Sequence, residues 1–298
     1  MVRQYKIHTN LDGTDDKVWD VTNGKVRFYQ PSNLGLQSTN NIWQSNGIGI
    51  MGTRSITQPQ IEFKLETFGE SLEENYRLMK DFINDILNKK FVTLEYQTEI
   101  FQVYADLALA EVTKTEGYGK NGTFSEKITF DIITKWYTYE NLTFDMIKNG
   151  EVIAGKSKIY GGTAPGSYKY VEGVSYTYYG ETNIERLSRW DIKDEIFSFM
   201  GILYPQLPKT PTGVRFLDDI GNEYTAIVFK TEELQDYILI NTDVNDETYQ
   251  GWKGTTALNL FPVMDFERYR TRIIEKGQME LINLSKAEFK IKRKADFV

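Results

Sequence analysis

The stretch from Ile61 to Tyr137 constrains the fold most, because three patterns follow one another there in fixed order. Ile61, Phe63 and Leu65 alternate with Glu62, Lys64 and Glu66, the period-2 signature of a strand with one buried face. Ser71 then precedes Glu74 by three residues, the spacing at which serine caps a helix and glutamate caps it in return. Leu72, Tyr76, Met79, Ile83, Ile86 and Leu87 fall on one side at helical spacing, with Glu73, Lys80 and Asp81 toward water. Lys89 and Lys90 suit the negative end of the helix dipole, so the helix is expected to stop there. Val92, Leu94 and Tyr96 open a strand, and Val103, Ala105, Leu107 and Leu109 continue the sheet. Glu116–Gly122 reads as a hairpin loop before Ile128, Phe130 and Ile132. The expected product is one long helix embedded in an antiparallel sheet.

Flanking segments add strands. Tyr5, Ile7 and Leu11 oppose Lys6 and His8, which places His8 on the wet side of a first strand. Asn23-Gly24 signals a two-residue hairpin between Val18–Val21 and Val26–Tyr29. Residues 31–58 are polar with little periodicity and read as a long irregular loop. Such a loop would lie across a neighbouring subunit in a ring and swing free in a monomer. Asn183 to Met200 is expected to begin as a helix and end as a strand. Short strands are then expected at Val214–Leu217, Tyr224–Phe229, Tyr237–Ile240, Leu258–Phe261, Arg270–Ile274, Met279–Leu281 and Ala287–Ile291, spaced as in a β-sandwich.

The order strand, helix ENYRLMKDFINDILNKK, strand FVTLEYQ, strand FQVYADLALAEVTKTE, Gly-rich turn and strand KITFDIITKWY resembles the N-terminal domain of siphophage distal tail proteins. With the LINTDVNDETYQG region and the length, the whole chain looks most like the version in lactococcal phage baseplates. The resemblance implies a mainly β fold with one long helix: a ring-forming N-terminal domain over 1–136 and a galectin-like β-sandwich over 137–298. It also implies an arm-like extension, placed at about 145–188, that holds receptor-binding proteins. The implied function is the hub of a tail tip or baseplate, a homohexameric ring between the tail tube protein, a tail-tip (tail-associated) protein and the receptor-binding protein. Genome DNA would pass through it without specific binding. No enzymatic activity and no cofactor are implied, and the location is the virion after synthesis in the bacterial cytoplasm.

Composition allows this. The formal charge of −7 argues against a chain that grips phosphates. The absence of cysteine excludes a disulfide framework and a thiolate site. No run approaches the ~18 apolar residues that span a bilayer, so no membrane partner is expected. Between Gly150 and Gly180, seven glycines join six tyrosines, Tyr160, Tyr168, Tyr170, Tyr176, Tyr178 and Tyr179. Tyrosine offers contact area at low entropy cost, so these are the candidate partner-binding residues; the plainer alternative is a decorated hairpin.

Chemical motifs do not hold together. Gly47, Gly49 and Gly52 match GxGxxG, but a dinucleotide site needs a strand before and a helix after. His8 is the only histidine, which excludes two-His zinc motifs and leaves any triad dependent on it. Asn241, Asp243, Asn245 and Glu247 alternate like a calcium loop, yet Thr248 and Gly254 occupy the positions that need glycine and glutamate. Lys290–Lys294 would suit a phosphate or an anionic surface; the simpler expectation is that it guards the outer face of a terminal edge strand. No catalytic residue and no metal ligand is assigned. A second class, a carbohydrate-binding sandwich touching cell-wall saccharide, stays open and requires an exposed aromatic platform; a third, a glycoside hydrolase, requires two carboxylates that nothing singles out.

Overall fold

The structure is a computed structural model that describes residues 3–35, 38–56, 59–114, 123–144, 147–148, 151–152, 159–160, 176–177 and 184–295. It divides into two compact units, Met1–Thr138 with Ala295–Val298, and Tyr139–Lys294. The fold is mainly β with one long helix, as expected.

The first unit contains strands β1 (Gln4–His8), β2 (Val18–Asp20), β3 (Val26–Ser32), β4 (Ser38–Ser45), β5 (Ile48–Ile56) and β6 (Gln60–Thr67). Helix α1 (Leu72–Leu87) and strands β7 (Val92–Gln97), β8 (Gln102–Thr113) and β9 (Ser125–Ile132) follow. Its main sheet runs β2-β1-β7-β8-β9-β6-β3. The alternation in β6 sends Ile61, Phe63 and Leu65 inward, where they join Phe28, Leu94, Leu107, Ile128 and Phe130 in one core. Ser71 caps α1 by accepting from the Glu74 N–H. The reciprocal bond from Glu74 goes one residue further back, to the Glu70 N–H at 2.7 Å.

Helix α1 is rotated from the expected face. Asn75, Phe82 and Ile86 are buried, whereas Leu72, Tyr76 and Leu87 are exposed. Asn75 turns inward because its Oδ1 accepts from Gly69 N and its Nδ2 donates to Ser71 O, which pins the helix entry. Phe82 meets Trp19 and Phe28 edge to face at 5.2 and 5.8 Å. Phe82→Ala is therefore expected to destabilise this unit by about 3–5 kcal/mol, read from urea unfolding of the full chain; a loss near that of a surface substitution would contradict the packing.

Asn23-Gly24 makes a turn but not a hairpin. Asp20 Oδ1 accepts from Thr22 N and Asn23 N, after which β2 pairs with β1 and β3 with β6. The 116–122 loop lies outside the described residues, between the paired strands β8 and β9.

The second sequence half contributes β10 (Tyr137–Phe144), β11 (Ile147–Lys148), β12 (Glu151–Val152), β13 (Ile159–Tyr160), β14 (Tyr176–Thr177), β15 (Ile184–Ile192) and β16 (Ile196–Pro205). Then come β17 (Thr212–Leu217), β18 (Glu223–Phe229), β19 (Tyr237–Asn241), β20 (Thr248–Lys253), β21 (Thr256–Asn259), β22 (Gly277–Ile282) and β23 (Leu284–Lys294). Sheets β10-β23-β16-β19-β20-β21 and β15-β22-β17-β18 enclose a core of Phe199, Phe216, Phe229, Ile240, Leu281 and Phe289, the expected galectin-like sandwich.

Three local expectations fail here. Residues 184–200 contain strands instead of a helical start, and Arg270–Ile274 contributes only one bridge, from Ile274 to Ile196. Strand β20 carries a weak signal because its inward positions are Tyr249 and Gly251; a Cβ on Gly251 would lie 2.9 Å from Gln235 Oε1. Strand β23 is not an edge, since β10 and β16 flank it. Its Lys292 is buried against Asp243, which is opposite to an exposed gatekeeper.

Candidate assembly surfaces

The segment expected to be a loop is a two-stranded hairpin. Asn46 and Gly47 have φ of 50° and 78°, the left-handed pair of a two-residue hairpin turn, and β4 pairs with β5 from Ser45↔Ile48 through Ser38↔Ile56. Trp43 opposes Ile50 on one face and Ile42 opposes Met51 on the other. Gly49 and Gly52 of the failed GxGxxG make room for Ile42 and Trp43. A Cβ on Gly49 would stand 3.2 Å from Ile42, and one on Gly52 3.5 Å from Trp43 Nε1. Trp43, Ile48 and Ile50 are 68%, 69% and 63% exposed. A free two-stranded hairpin is marginal in water, and clustered exposed apolar side chains mark an interaction surface. The Asn-Gly pair between Ile42-Trp43 and Ile48-Ile50 was the sequence signal for it. Leu72, Tyr76 and Leu87 add apolar surface on α1.

The six candidate tyrosines divide in two. Tyr168, Tyr170, Tyr178 and Tyr179 lie outside the described residues. Tyr160 and Tyr176 are paired in the backbone register of β13 and β14.

On the sandwich, a groove of about 480 Å³ is lined by Met200, Ile202 and Leu239 with Asn141, Asn241 and Thr248. Among the described residues lining it, Phe289 is the only aromatic one and is buried, so it offers no platform for stacking a sugar ring. The calcium-like segment is a turn. Asp243 Oδ1 accepts from Asn245 N, and Oδ2 accepts from Lys292 Nζ at 2.8 Å. An ammonium thus sits where a cation reading would need the metal. On the opposite sheet, Glu280 is fully buried and receives Arg215, which also faces Glu223, itself held by Arg268.

His8 is not a wet strand residue. It is 8% exposed, with Nδ1 2.7 Å from Asp16 Oδ2 and Nε2 2.8 Å from Glu95 Oε2. Burial pushes the Glu95 carboxyl up, but hydrogen bonds from Lys6 and His8 outweigh it and hold the group below its usual range. Among the described residues no three His, Cys, Asp or Glu side chains converge to hold a metal, and no helix is long and apolar enough to cross a membrane.

Residues 4–133 match the family model of the distal tail protein N-terminal domain, and residues 135–298 that of the Dit C-terminal domain. The chain belongs to the distal tail protein family. The distal tail proteins of Lactococcus phages p2 and SK1 are 93% and 92% identical to it over 298 residues, the full length of both chains in each case. A chain in the structure of the phage p2 baseplate, in its activated conformation with Ca, is 93% identical and fully covered, with a TM-score of 0.80. The crystal structure of the SPP1 Dit protein, described as a paradigm of hub adsorption apparatus in phages infecting Gram-positive hosts, matches at TM-score 0.53 over 98% of this chain and 99% of its own. At 10% identity that likeness concerns the distal tail protein fold alone.

Proposed function

We propose that this distal tail protein is a structural hub of a phage baseplate, a ring of six copies that joins the tail tube to the host-recognition apparatus and carries receptor-binding proteins. The observation that carries the reading is the full-length, 93% identity to a chain of the p2 baseplate. The exposed hairpin β4–β5 supports the ring, because a repeated head-to-tail contact closes a cyclic assembly and an apolar hairpin needs a second surface to cover it. Residues 1–136 form the ring in this reading, 137–298 the galectin-like domain, and about 145–188 its arm. The protein contacts a tail-tip protein and the tail tube protein, uses no catalytic residue, and leaves the genome free to pass, which the net charge of −7 favours. Among the described residues, the groove on the sandwich presents no exposed aromatic ring, which favours the hub over sugar binding.

In the arm, Tyr160, Tyr168, Tyr170, Tyr176, Tyr178 and Tyr179 are the grip for the receptor-binding protein. Replacing residues 150–180 with a short Gly-Ser linker is expected to preserve ring mass and abolish co-purification with that partner, since losing anchoring tyrosines costs about 2 kcal/mol or more each. Capture at the wild-type level would move the contact to the sandwich.

A further inference from the structure

The polar cluster around His8 belongs neither to the apolar core nor to the assembly surfaces, and every member of it is placed. His8 ends β1, Glu95 lies on the neighbouring strand β7, and Asp16 belongs to the connection between β1 and β2. Lys6, two residues before His8 on the same strand face, donates to the other Glu95 oxygen at 2.8 Å. Tyr104 on β8 faces Glu95 and Asp12, whose charges add to burial in pushing its phenol up. Asp16 Oδ1 accepts from Asn10 N at 2.9 Å, and Lys89 fastens the same connection through Asp15. Lys17 N donates to Thr9 Oγ1, closing its base.

The hydrogen-bond count decides what the imidazole must be. Carboxylate oxygens only accept, and a neutral imidazole has one N–H. With Asp16 on one ring nitrogen and Glu95 on the other, a neutral ring would aim a lone pair at an oxygen 2.7 or 2.8 Å away. Only the imidazolium donates to both. We infer that His8 is a proton-dependent clasp, whose doubly protonated ring ties β7 to the connection at residues 9–17 and whose loss of one proton releases that connection at Asp16. Release falls on Asp16 because its side chain is 19% exposed against 5% for Glu95; the freed oxygen can be hydrated at Asp16 and not at Glu95. The connection is thus held on the acidic side and let go as pH rises, with Lys6 keeping Glu95 paired throughout. This clasp does not depend on the proposed assembly of six subunits.

A single histidine makes the test direct, because any imidazole signal of the full chain is His8. Two-bond proton–nitrogen NMR at pH 7 is expected to show both ring nitrogens protonated; one nitrogen in the unprotonated range would overturn the clasp. As a second measure, trypsin cleavage after Lys17 is expected to be roughly tenfold faster in His8→Gln than in wild type at pH 7, the scale of one lost charge-assisted hydrogen bond. The gap should close at pH 9, once each rate is corrected with an unstructured peptide. Equal cleavage of the two proteins at pH 7 would refute the clasp, and if the variant does not fold, the ring-nitrogen signals alone decide.

Discussion

Replacing Trp43, Ile48 and Ile50 together by serine is expected to yield a folded chain that no longer forms rings. All three side chains stand mostly in water, on a hairpin that pairs with no other strand among the described residues. Their loss should change the stability of the subunit little, because exposed substitutions usually stay within about 0.5 kcal/mol. At an interface the balance reverses. A buried tryptophan anchor is worth about 2 kcal/mol or more, and every 1.4 kcal/mol is tenfold in affinity. In a closed ring each subunit makes the contact twice, once with its hairpin and once with the surface that receives it, so the loss recurs at every junction. The expected readout is an unchanged circular dichroism melt together with a monomeric native mass. A variant that still assembles would place the ring contact elsewhere, with the apolar flank of α1 the next surface to test.

The second large effect is expected inside the sandwich. Lys292 and Asp243 are 5% and 8% exposed and joined at 2.8 Å. Asp243→Ala would leave the ammonium buried without that carboxylate, and breaking a buried pair on one side costs about 3–5 kcal/mol. Removing both charges at once, as Asp243→Ala with Lys292→Met, should recover most of the loss, because the methionine stem fills the same space without a charge to desolvate. Urea unfolding of the single and double variants gives the comparison. Equal stability of the single variant and wild type would mean that water reaches the pair.

These two sites also show where the sequence stops being legible. The order from β6 through α1 to β9 could be read because one face of each element is buried against a single core, and burial writes a period of 2 or 3.6 into the chain. The hairpin β4–β5 has no such signature: neither face packs against the subunit, so apolar and polar residues mix on both, and only the Asn46-Gly47 turn betrays it. Lys292 and His8 mislead for a different reason. Each follows a strand alternation that marks it as outward, yet each outward face is covered by carboxylates 49 and 87 residues away, Asp243 and Glu95. Position in a sheet is equally hidden. Lys290 to Lys294 look like an edge until the topology places β23 between β10 and β16. On α1 the expected stripe was correct in kind but rotated, because a capping side chain, Asn75, is buried while Leu72 and Tyr76 are left exposed. Exclusions that rest on residue identity alone could be read more directly: with one histidine and no cysteine, two-His zinc motifs and thiolate sites lack their components.

Native mass at micromolar concentration tests the proposed ring of six most directly. Six copies of the 34.6 kDa chain, about 208 kDa, are predicted. A mass of 34.6 kDa alone, under conditions where the chain is folded, would contradict it.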